Sequence, residues 1–179
     1  MSDIAMTEIV EKAKKLKLLI LDVDGVLTDG RLFFDQQGNE YKSFNAQDGH
    51  GIKLLRQSGV EVAVISGRKS ASVALRMQNL GISHVYQGFE DKREAFAELL
   101  VKLAITAEQA AHVGDDLLDL PIMVRVGLAV AVNDANPSVK QYAHWTTSRC
   151  GGQGAVREVC DLIMQAQGHF DAVLNAYLQ

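Results

Sequence analysis

The stretch ILDVDGVLTDG, residues 20–30, places two aspartates, Asp22 and Asp24, at the end of an apolar run. The run has the composition of a buried parallel strand, and open α/β sheets bind their ligands at the carboxyl ends of such strands. Gly25 lets the chain turn sharply, so both carboxylates are expected at the rim of the sheet. The pair indicates phosphoryl-transfer chemistry. An ordinary turn, in which Asp and Gly tolerate bent backbone, is the alternative, and the remaining strand ends must decide between the two.

The alternation of apolar and amphipathic segments predicts the fold class. Apolar runs of strand length occur at residues 16–23, 60–66, 83–87, 110–114, 128–132 and 143–146. Between them, residues 69–81, 91–104 and 115–127 carry apolar side chains at helical spacing, and Gly81 and Gly127 suit helix ends. Repeated βα units of this kind predict an α/β fold, a doubly wound Rossmann-like parallel sheet with helices on both faces.

Composition excludes several classes of protein. The chain has 179 residues, 47% of them hydrophobic, which suits a single domain over residues 1–179. A net charge of −4 argues against a nucleic-acid binder. No stretch approaches the roughly 18 apolar residues of a membrane span, and no signal segment is visible, so a cytoplasmic protein is expected. Cys150 and Cys160 have neither metal-site nor disulfide-framework spacing, which predicts free thiols.

One segment interrupts the alternation, at about residues 31–44. Two short aromatic runs flank the polar sequence DQQGN, residues 35–39, and this pattern predicts a β-hairpin. Its position directly after the aspartate pair suits a flap over the site or an edge offered to another subunit. A surface hairpin without function is the alternative, although the segment carries much aromatic surface for a projecting element: Phe33, Phe34, Tyr41 and Phe44.

Two further strand ends carry groups that suit a phosphate. Ser66, Gly67 and Arg68 supply a hydroxyl and a cation, and a helix beginning near Lys69 would point its amides at an anion. A simple helix cap is the alternative for Ser66. Lys92 stands at a helix start, where the helix dipole disfavours a cation, and such a conflict hints at function. A solvated lysine paired with a neighbouring acid is its alternative.

The fourth strand end adds acidic groups. Asp115 and Asp116 follow Gly114, and Asp119 lies one helical turn further on. Acidic residues often cap helices, but two adjacent carboxylates at a strand end also suit a hard divalent cation.

In this order, DVDGVLTD, SGR, a lone lysine before a helix and GDDLLD resemble the haloacid dehalogenase-like phosphatase superfamily, over roughly residues 15–145. The resemblance implies that Asp22 is the nucleophile and that Asp24 is the general acid and base. It also implies Mg²⁺, held by carboxylates of Asp22 and Asp115 and the backbone carbonyl of Asp24. Asp116, and less strongly Asp119, would orient the waters of the metal. The phosphoryl oxygens would be bound by Ser66, Lys92 and backbone amides such as that of Gly67.

The spacing of the motifs leaves no space for a cap domain. A capless enzyme has an open site or borrows cover from a neighbouring subunit, and the aromatic hairpin favours the second arrangement. The whole chain resembles the family of 3-deoxy-D-manno-octulosonate 8-phosphate (Kdo 8-phosphate) phosphatases through LDVDGVLTDGRL, FNAQDGHGIKLL, VISGRKS, residues 87–92, VGDDLLDLP and CGGQGAVREVCDLI. That resemblance implies a capless, Mg²⁺-dependent, cytoplasmic homotetramer that supplies Kdo for lipopolysaccharide.

The same resemblance implies a set of substrate contacts beyond the motifs. They are Asn45, Ala46, Gln47, Asp48, Gly49, Lys53, Ser66, Gly67, Arg68, Arg76 and Lys92. The cations suit a substrate that carries both a carboxylate and a phosphate. Arg76 could equally be an ordinary exposed arginine or reach into a neighbouring subunit. The glycine-rich tail from about residue 150 could be a loop that closes a site or a linker to a final helix.

Two other functions remain open. The nearer is the same chemistry on a nine-carbon acylneuraminate or deaminated neuraminate 9-phosphate. The farther is a non-catalytic regulatory or assembly subunit. The cluster of Asp22, Asp24, Lys92 and Asp115 argues against the farther one, because a domain without catalysis has no physical need for such a concentration of like charge.

Overall fold

Within residues 3–179, which the computed structural model describes (side chains from residue 6), eight strands form two sheets. They are β1 (Leu18–Leu21), β2 (Phe33–Phe34), β3 (Glu40–Tyr41), β4 (Glu61–Ser66), β5 (His84–Gln87), β6 (Ala110–Gly114), β7 (Leu128–Ala131) and β8 (Trp145–Thr146). The larger sheet has the order β5-β4-β1-β6-β7-β8, and every neighbouring pair in it is parallel. The predicted parallel α/β sheet is confirmed.

The helices connect these strands in the manner of βα units. They are α1 (Asp3–Ala13), α2 (Ala46–Gln57), α3 (Ala71–Leu80), α4 (Lys92–Leu103), α5 (Leu120–Met123), α6 (Pro137–Lys140), α7 (Ala155–Ala166) and α8 (Phe170–Ala176). One group of helices consists of α1, α2, α3 and α7, whereas α4 packs against α5. The crossover connections run from β1 towards β5 in the first half of the chain and from β5 towards β8 in the second half. Because each connection is right-handed and the direction reverses, the two groups of helices lie on opposite faces of the sheet. No helix among the described residues combines the length and the apolar character needed to cross a membrane.

Strand β1 is the centre of the core. All four of its residues are fully buried, because helices cover both faces and β4 and β6 flank it. Ile20 lies opposite Ala63 of β4 and His112 of β6. This explains why the strand is a continuous apolar run rather than an alternating one.

The direction of the chain reverses at β1. From β1 the chain moves to β4 and β5 on one side, then crosses to β6, β7 and β8 on the other. Such a switch point opens a crevice beyond the carboxyl ends of the central strands. Asp22, Ser66 and Asp115 lie at or directly after the ends of β1, β4 and β6, so the topology brings all three to this crevice.

The two glycines expected at helix ends differ. Gly81 ends α3 in the left-handed conformation, with φ of 72°. The expectation for Gly127 is wrong, because the segment after β6 forms only a 3₁₀ turn, Leu117–Asp119, and then the short α5, which ends at Met123. Gly127 instead allows close contact between backbones, since a Cβ there would lie 2.0 Å from the carbonyl oxygen of Glu108.

The hairpin forms where the aromatic pattern predicts it. Phe33 pairs with Tyr41 across β2 and β3, and Gly38 adopts φ of 82° in the connecting turn. The Asp35 carboxylate closes that turn by accepting N–H bonds from Gln37 and Asn39. Three aromatic side chains of the hairpin stay about half exposed in the single chain: Phe33, Phe34 and Tyr41. Phe44 is the exception, because it packs against the core.

Candidate active site

A cavity of about 170 Å³ lies at the carboxyl ends of β1, β4 and β6. It is lined by Asp22, Asp24, Ser66, Gly67, Arg68, Lys92, Asp115, Asp116, Leu118 and Asp119. The structure thus brings together the groups that the sequence offered at four separate strand ends. Leu118 is the one lining residue that the sequence did not single out.

Lys92 is the central cation of this cavity. Its ammonium donates to Asp22 Oδ1 at 2.6 Å and to Asp119 Oδ1 at 2.7 Å, and the side chain is 2% exposed. Burial alone would lower the pKa of Lys92, but the two carboxylates outweigh it and raise that pKa. A cation at the start of α4 is therefore explained by its two buried partners and not by the helix.

Asp22 is buried and nevertheless positioned to be ionised near neutral pH. Burial raises its pKa to about 6, the attraction of Lys92 opposes the rise, and the nearby charge of Asp119 adds to it. The backbone N–H of Asp22 donates to Val113 of the neighbouring strand, so the residue is fixed to the sheet edge. A carboxylate held in this way can serve as a nucleophile.

Asp119 accepts more hydrogen bonds than its sequence position indicated. One oxygen accepts from Lys92 and from His112 Nε2 at 2.9 Å, and the other accepts the backbone N–H groups of Asp115 and Asp116. Burial would raise the pKa of Asp119, but these donors and their charges lower it below its usual range. His112 was missed in the sequence, although a lone titratable residue inside the apolar run AAHVG is the signal that could have found it.

The carboxylates of the cavity fit a divalent cation. Oxygens of Asp22, Asp115 and Asp119 lie within 4.8 Å of one another. Both oxygens of Asp119 are already engaged by donors, which leaves Asp22 and Asp115 as the freer ligands. Burial, together with the charges of Asp22, Asp119 and Asp116, raises the pKa of Asp115 to about 8. This local excess of negative charge, carried by oxygen ligands, is what Mg²⁺ binds.

Gly25 provides the space for this arrangement. It has φ of 98°, and a Cβ at this position would lie 2.1 Å from Asp115 Oδ2. Any side chain here would displace the carboxylate of Asp115. The glycine of the DVDG motif therefore serves both the turn and the neighbouring acid.

Asp24 is contacted by the hairpin as well as by the sheet. The ammonium of Lys42, just after β3, bonds to Asp24 Oδ1 and lies 3.2 Å from Glu40 Oε1. Arg68 bonds to Glu40 and approaches Asp24 Oδ2 at 3.8 Å. Lys42 was also missed in the sequence. Its signal is the alternation of Glu40, Tyr41 and Lys42, which puts the two charged residues on one face of the strand.

Ser66 ends β4 inside the cavity and is 3% exposed. Its hydroxyl oxygen accepts the backbone N–H of Arg68 at 3.3 Å. The helix expected to begin near Lys69 begins at Ala71, and the backbone N–H of its N-cap residue, Ser70, donates to the Gln87 side chain. The phosphate-binding role of Ser66 and Gly67 stays a prediction.

The predicted substrate segment, residues 45–49, forms the start of α2, and its residues differ in their exposure to solvent. Asn45 caps the helix by accepting the N–H groups of Gln47 and Asp48. Asp48 is 1% exposed and accepts the N–H of Arg157 in α7, an arrangement that gives it a structural task. Burial raises the pKa of Asp48. Ala46 and Gln47 are exposed, and Gln47 bonds to Arg149.

Arg76 and Lys53 line a second cavity of about 240 Å³, separate from the first. The residues around it are Ala46, Gly49, His50, Lys53, Arg76 and Leu80. Arg76 donates to the Asn45 carbonyl at 3.4 Å and lies over the ring of Phe44. Gly49 makes room for it, since a Cβ there would lie 2.2 Å from Arg76 Nη2. Eight of the predicted substrate residues are thus divided between two cavities of the single chain, whereas Asn45, Gln47 and Asp48 line neither.

The glycine-rich tail packs against the loop that follows β1. The backbone N–H of Gly152 donates to Val26, and a Cβ on Gly151 would lie 1.6 Å from the carbonyl oxygen of Gly25. The Gly151 N–H bonds to Asp134 at 2.9 Å. The segment therefore supports the loop of its own chain, in addition to leading into α7.

Comparisons with known proteins agree with the family that the sequence motifs resemble. A family model described as haloacid dehalogenase-like hydrolase matches residues 82–158. The chain is 52% identical to the 3-deoxy-D-manno-octulosonate 8-phosphate phosphatase KdsC of Escherichia coli K12, over 92% of this chain and 87% of that protein. It is 48% identical to the solved phosphatase of the same name from Yersinia pestis, with a TM-score of 0.91 and coverage of 92% and 89%. The enzyme of that name from Moraxella catarrhalis, solved with magnesium, phosphate and Kdo, is 44% identical, with a TM-score of 0.94 and coverage of 96% and 99%.

Proposed function

The chain belongs to the Kdo 8-phosphate phosphatases of the haloacid dehalogenase-like superfamily, and we propose from this that it hydrolyses Kdo 8-phosphate to Kdo and phosphate in lipopolysaccharide precursor synthesis. The observation that carries the proposal is the convergence of buried Asp22 and Lys92 with half-buried Asp115 at the switch point of the sheet. A nucleophile, a cation and an acid suited to Mg²⁺ converge there on a space that can take a phosphoryl group.

Asp22 is the nucleophile in this mechanism. Its carboxylate oxygen forms a bond to phosphorus while the bond from phosphorus to the sugar oxygen breaks, which gives an aspartyl-phosphate. The pKa of about 6 leaves Asp22 mostly ionised at neutral pH. Lys92, already bonded to Asp22 Oδ1, orients it and offsets the charge of the incoming phosphate.

Asp24 transfers the protons. It gives a proton to the sugar oxygen as that oxygen leaves, and it then takes one from the water that attacks the aspartyl-phosphate. That second step breaks the bond between phosphorus and Asp22 and releases phosphate. Ser66, Arg68 and the Gly67 amide line the same space and bind the phosphoryl oxygens as their charge shifts.

Mg²⁺ would be held by a carboxylate oxygen of Asp22, the backbone carbonyl of Asp24 and a carboxylate oxygen of Asp115, and Asp116 would orient its bound water. Mg²⁺ held there supplies the positive charge that lets a carboxylate approach a dianionic phosphate. The excess negative charge around Asp115 supports this assignment.

The substrate pocket is completed by a second subunit in this proposal. The cavity of about 170 Å³ is smaller than the roughly 300 Å³ or more of typical ligand pockets, so it suits the phosphate end alone. In the assembly, Lys53 and Arg76 of the second cavity then bind the sugar-acid part of a substrate whose phosphate lies in the catalytic cavity of the neighbouring subunit. The exposed aromatics of the hairpin support assembly into a homotetramer. We place this enzyme in the cytoplasm, as a single domain with no nucleic-acid partner.

The test is hydrolysis of a panel of phosphorylated sugars by purified protein with Mg²⁺. We expect a strong preference for Kdo 8-phosphate, and a loss of about 10³-fold or more in Asp22→Asn because the nucleophile is removed. A preference for a neuraminate 9-phosphate would favour the nearer alternative. Equal turnover of simple hexose phosphates would refute the substrate assignment, and no turnover of any phosphate would favour a non-catalytic subunit.

A further inference from the structure

Lys42 is a partly buried residue outside the motifs, and its ammonium lies among carboxylates. Its side chain is 1% exposed, and its ammonium bonds to Asp24 Oδ1 and lies 3.2 Å from Glu40 Oε1. An ammonium removed from water is costly unless carboxylates compensate it. Arg68 in turn bonds to Glu40, so four charges alternate in sign from Asp24 to Arg68.

The position of Lys42 separates it from the phosphoryl group. Among the described residues, those that line the catalytic cavity include Asp24 and Arg68 but not Lys42. Lys42 therefore contacts Asp24 without lining the cavity itself. Lys42 contacts Asp24 directly and reaches Arg68 through Glu40.

We propose that Lys42 is a positioning residue, which occupies Oδ1 of Asp24 and thereby assigns proton transfer to Oδ2. The inference rests on the proposed function, in which Asp24 is the general acid and base. An ammonium group has three N–H donors and no acceptor. A proton on Asp24 Oδ1 would therefore face another donor and could not form a hydrogen bond with Lys42. The working proton is left on Oδ2, which Arg68 approaches only at 3.8 Å, beyond hydrogen-bond distance.

The proton balance follows from this assignment. As the bond between phosphorus and the sugar oxygen breaks, the electron pair goes to that oxygen, which takes the proton from Asp24 Oδ2. In the second step water forms its bond to phosphorus, its proton returns to Oδ2, and the bond from phosphorus to Asp22 breaks. Lys42 keeps its own protons throughout and holds the carboxyl group in one orientation.

The test compares Lys42→Met with wild type on two substrates. On Kdo 8-phosphate we expect kcat to fall on the order of 10- to 100-fold, with KM little changed, because the sugar alkoxide needs a proton to leave. With 4-nitrophenyl phosphate the leaving group is a weak base and needs no proton, so the burst of nitrophenolate in Lys42→Met should keep the wild-type rate. The steady turnover that follows should be slower, because hydrolysis of the aspartyl-phosphate still requires Asp24. A burst slowed as much as Kdo 8-phosphate turnover, or unchanged Kdo 8-phosphate turnover, would overturn the proposal.

A double-mutant cycle tests the route through Asp24. In an Asp24→Asn background, Lys42→Met should cause no further loss, and a full additional loss would contradict the inference. Lys102→Met, at an exposed lysine of α4, is the matched control and should behave as wild type. If Lys42→Met does not fold, Lys42→Arg enters the same cycle, and any loss that it causes must vanish in the Asp24→Asn background.

Failure of the proposed function would look different. Wild-type protein that leaves Kdo 8-phosphate intact would refute that function. Lys42 would still be tested by the steady phase with 4-nitrophenyl phosphate, because hydrolysis of the aspartyl-phosphate also requires Asp24.

Discussion

At the scale of single residues, the site holds charges that are buried together. Lys92 links Asp22 to Asp119, and His112 supports Asp119 from the strand behind it. Burial lowers the pKa of His112, which favours the neutral ring as a hydrogen-bond partner. Removing Lys92 would leave the buried carboxylates of Asp22 and Asp119 without their shared cation, which costs about 3–5 kcal/mol. In the proposed function, Mg²⁺ would supply the compensating charge for Asp115.

Asp115→Asn should therefore separate metal binding from folding. The pKa of Asp115 rises from 3.8 to about 8 in the folded, metal-free chain. Between these values the folded chain holds a proton that the unfolded chain has released, so the free energy of unfolding falls as pH rises. In EDTA, we expect the Tm of wild type to drop more between pH values of about 6 and 8.5 than that of Asp115→Asn.

Adding Mg²⁺ at the higher pH should raise the Tm of wild type but not that of Asp115→Asn, since only the former retains the ligand. Thermal unfolding followed by fluorescence measures both effects. Asp171→Asn, in the first turn of α8, is the control and should respond as wild type does. Equal Mg²⁺ stabilisation in Asp115→Asn would contradict the assigned ligand.

At the scale of elements, the loop after β1 depends on a segment more than a hundred residues later. Gly151 and Gly152 lie against the backbone of residues 25–29. Gly151 has no positive φ, so close contact alone explains the glycine. The tail thus belongs to the framework that holds Asp22 and Asp24.

Gly151→Ala tests this support. The new Cβ would meet the Gly25 carbonyl oxygen at 1.6 Å, so the loop must move, and Asp24 and Asp115 would lose their alignment. We expect kcat to fall by about 10-fold or more, while far-UV circular dichroism stays unchanged. Gly168→Ala is the control, because its φ of 74° brings backbone strain but no atom of the described residues lies within 4 Å of the added Cβ. It should lose stability and keep its kcat, and a Gly151→Ala enzyme with normal kcat would refute the idea.

At the scale of the whole molecule, the single chain leaves two features incomplete. The catalytic cavity holds little more than a phosphate, and the hairpin exposes Phe33, Phe34 and Tyr41. The cations of the second cavity lie apart from the catalytic residues. A second subunit that covers the aromatics and supplies these cations would resolve both features at once.

Light scattering at micromolar concentration should accordingly report an oligomer, and Phe34→Asp should produce a smaller species. The buried charge would disfavour the interface, and the KM for Kdo 8-phosphate should rise because the neighbour no longer contributes. Val101→Asp, at a position 82% exposed on α4, is the control and should leave the mass unchanged. Wild-type protein that is monomeric with an ordinary KM would exclude the shared pocket.

Six parallel strands, a hairpin and charged residues at the strand ends could all be predicted from the amino-acid sequence alone. These features are local, because apolar periodicity, turn residues and motif spacing act over a few neighbouring positions. Which of these side chains touch one another depends on the packing of the fold. The contact of Lys92 with Asp22 joins residues 70 positions apart, and the contact of Asn45 with Gly152 joins residues 107 apart. Packing between distant elements brings Lys42 to Asp24, the glycine-rich tail to the loop after Asp22, and Arg76 to a separate cavity. No local sequence pattern predicts such packing.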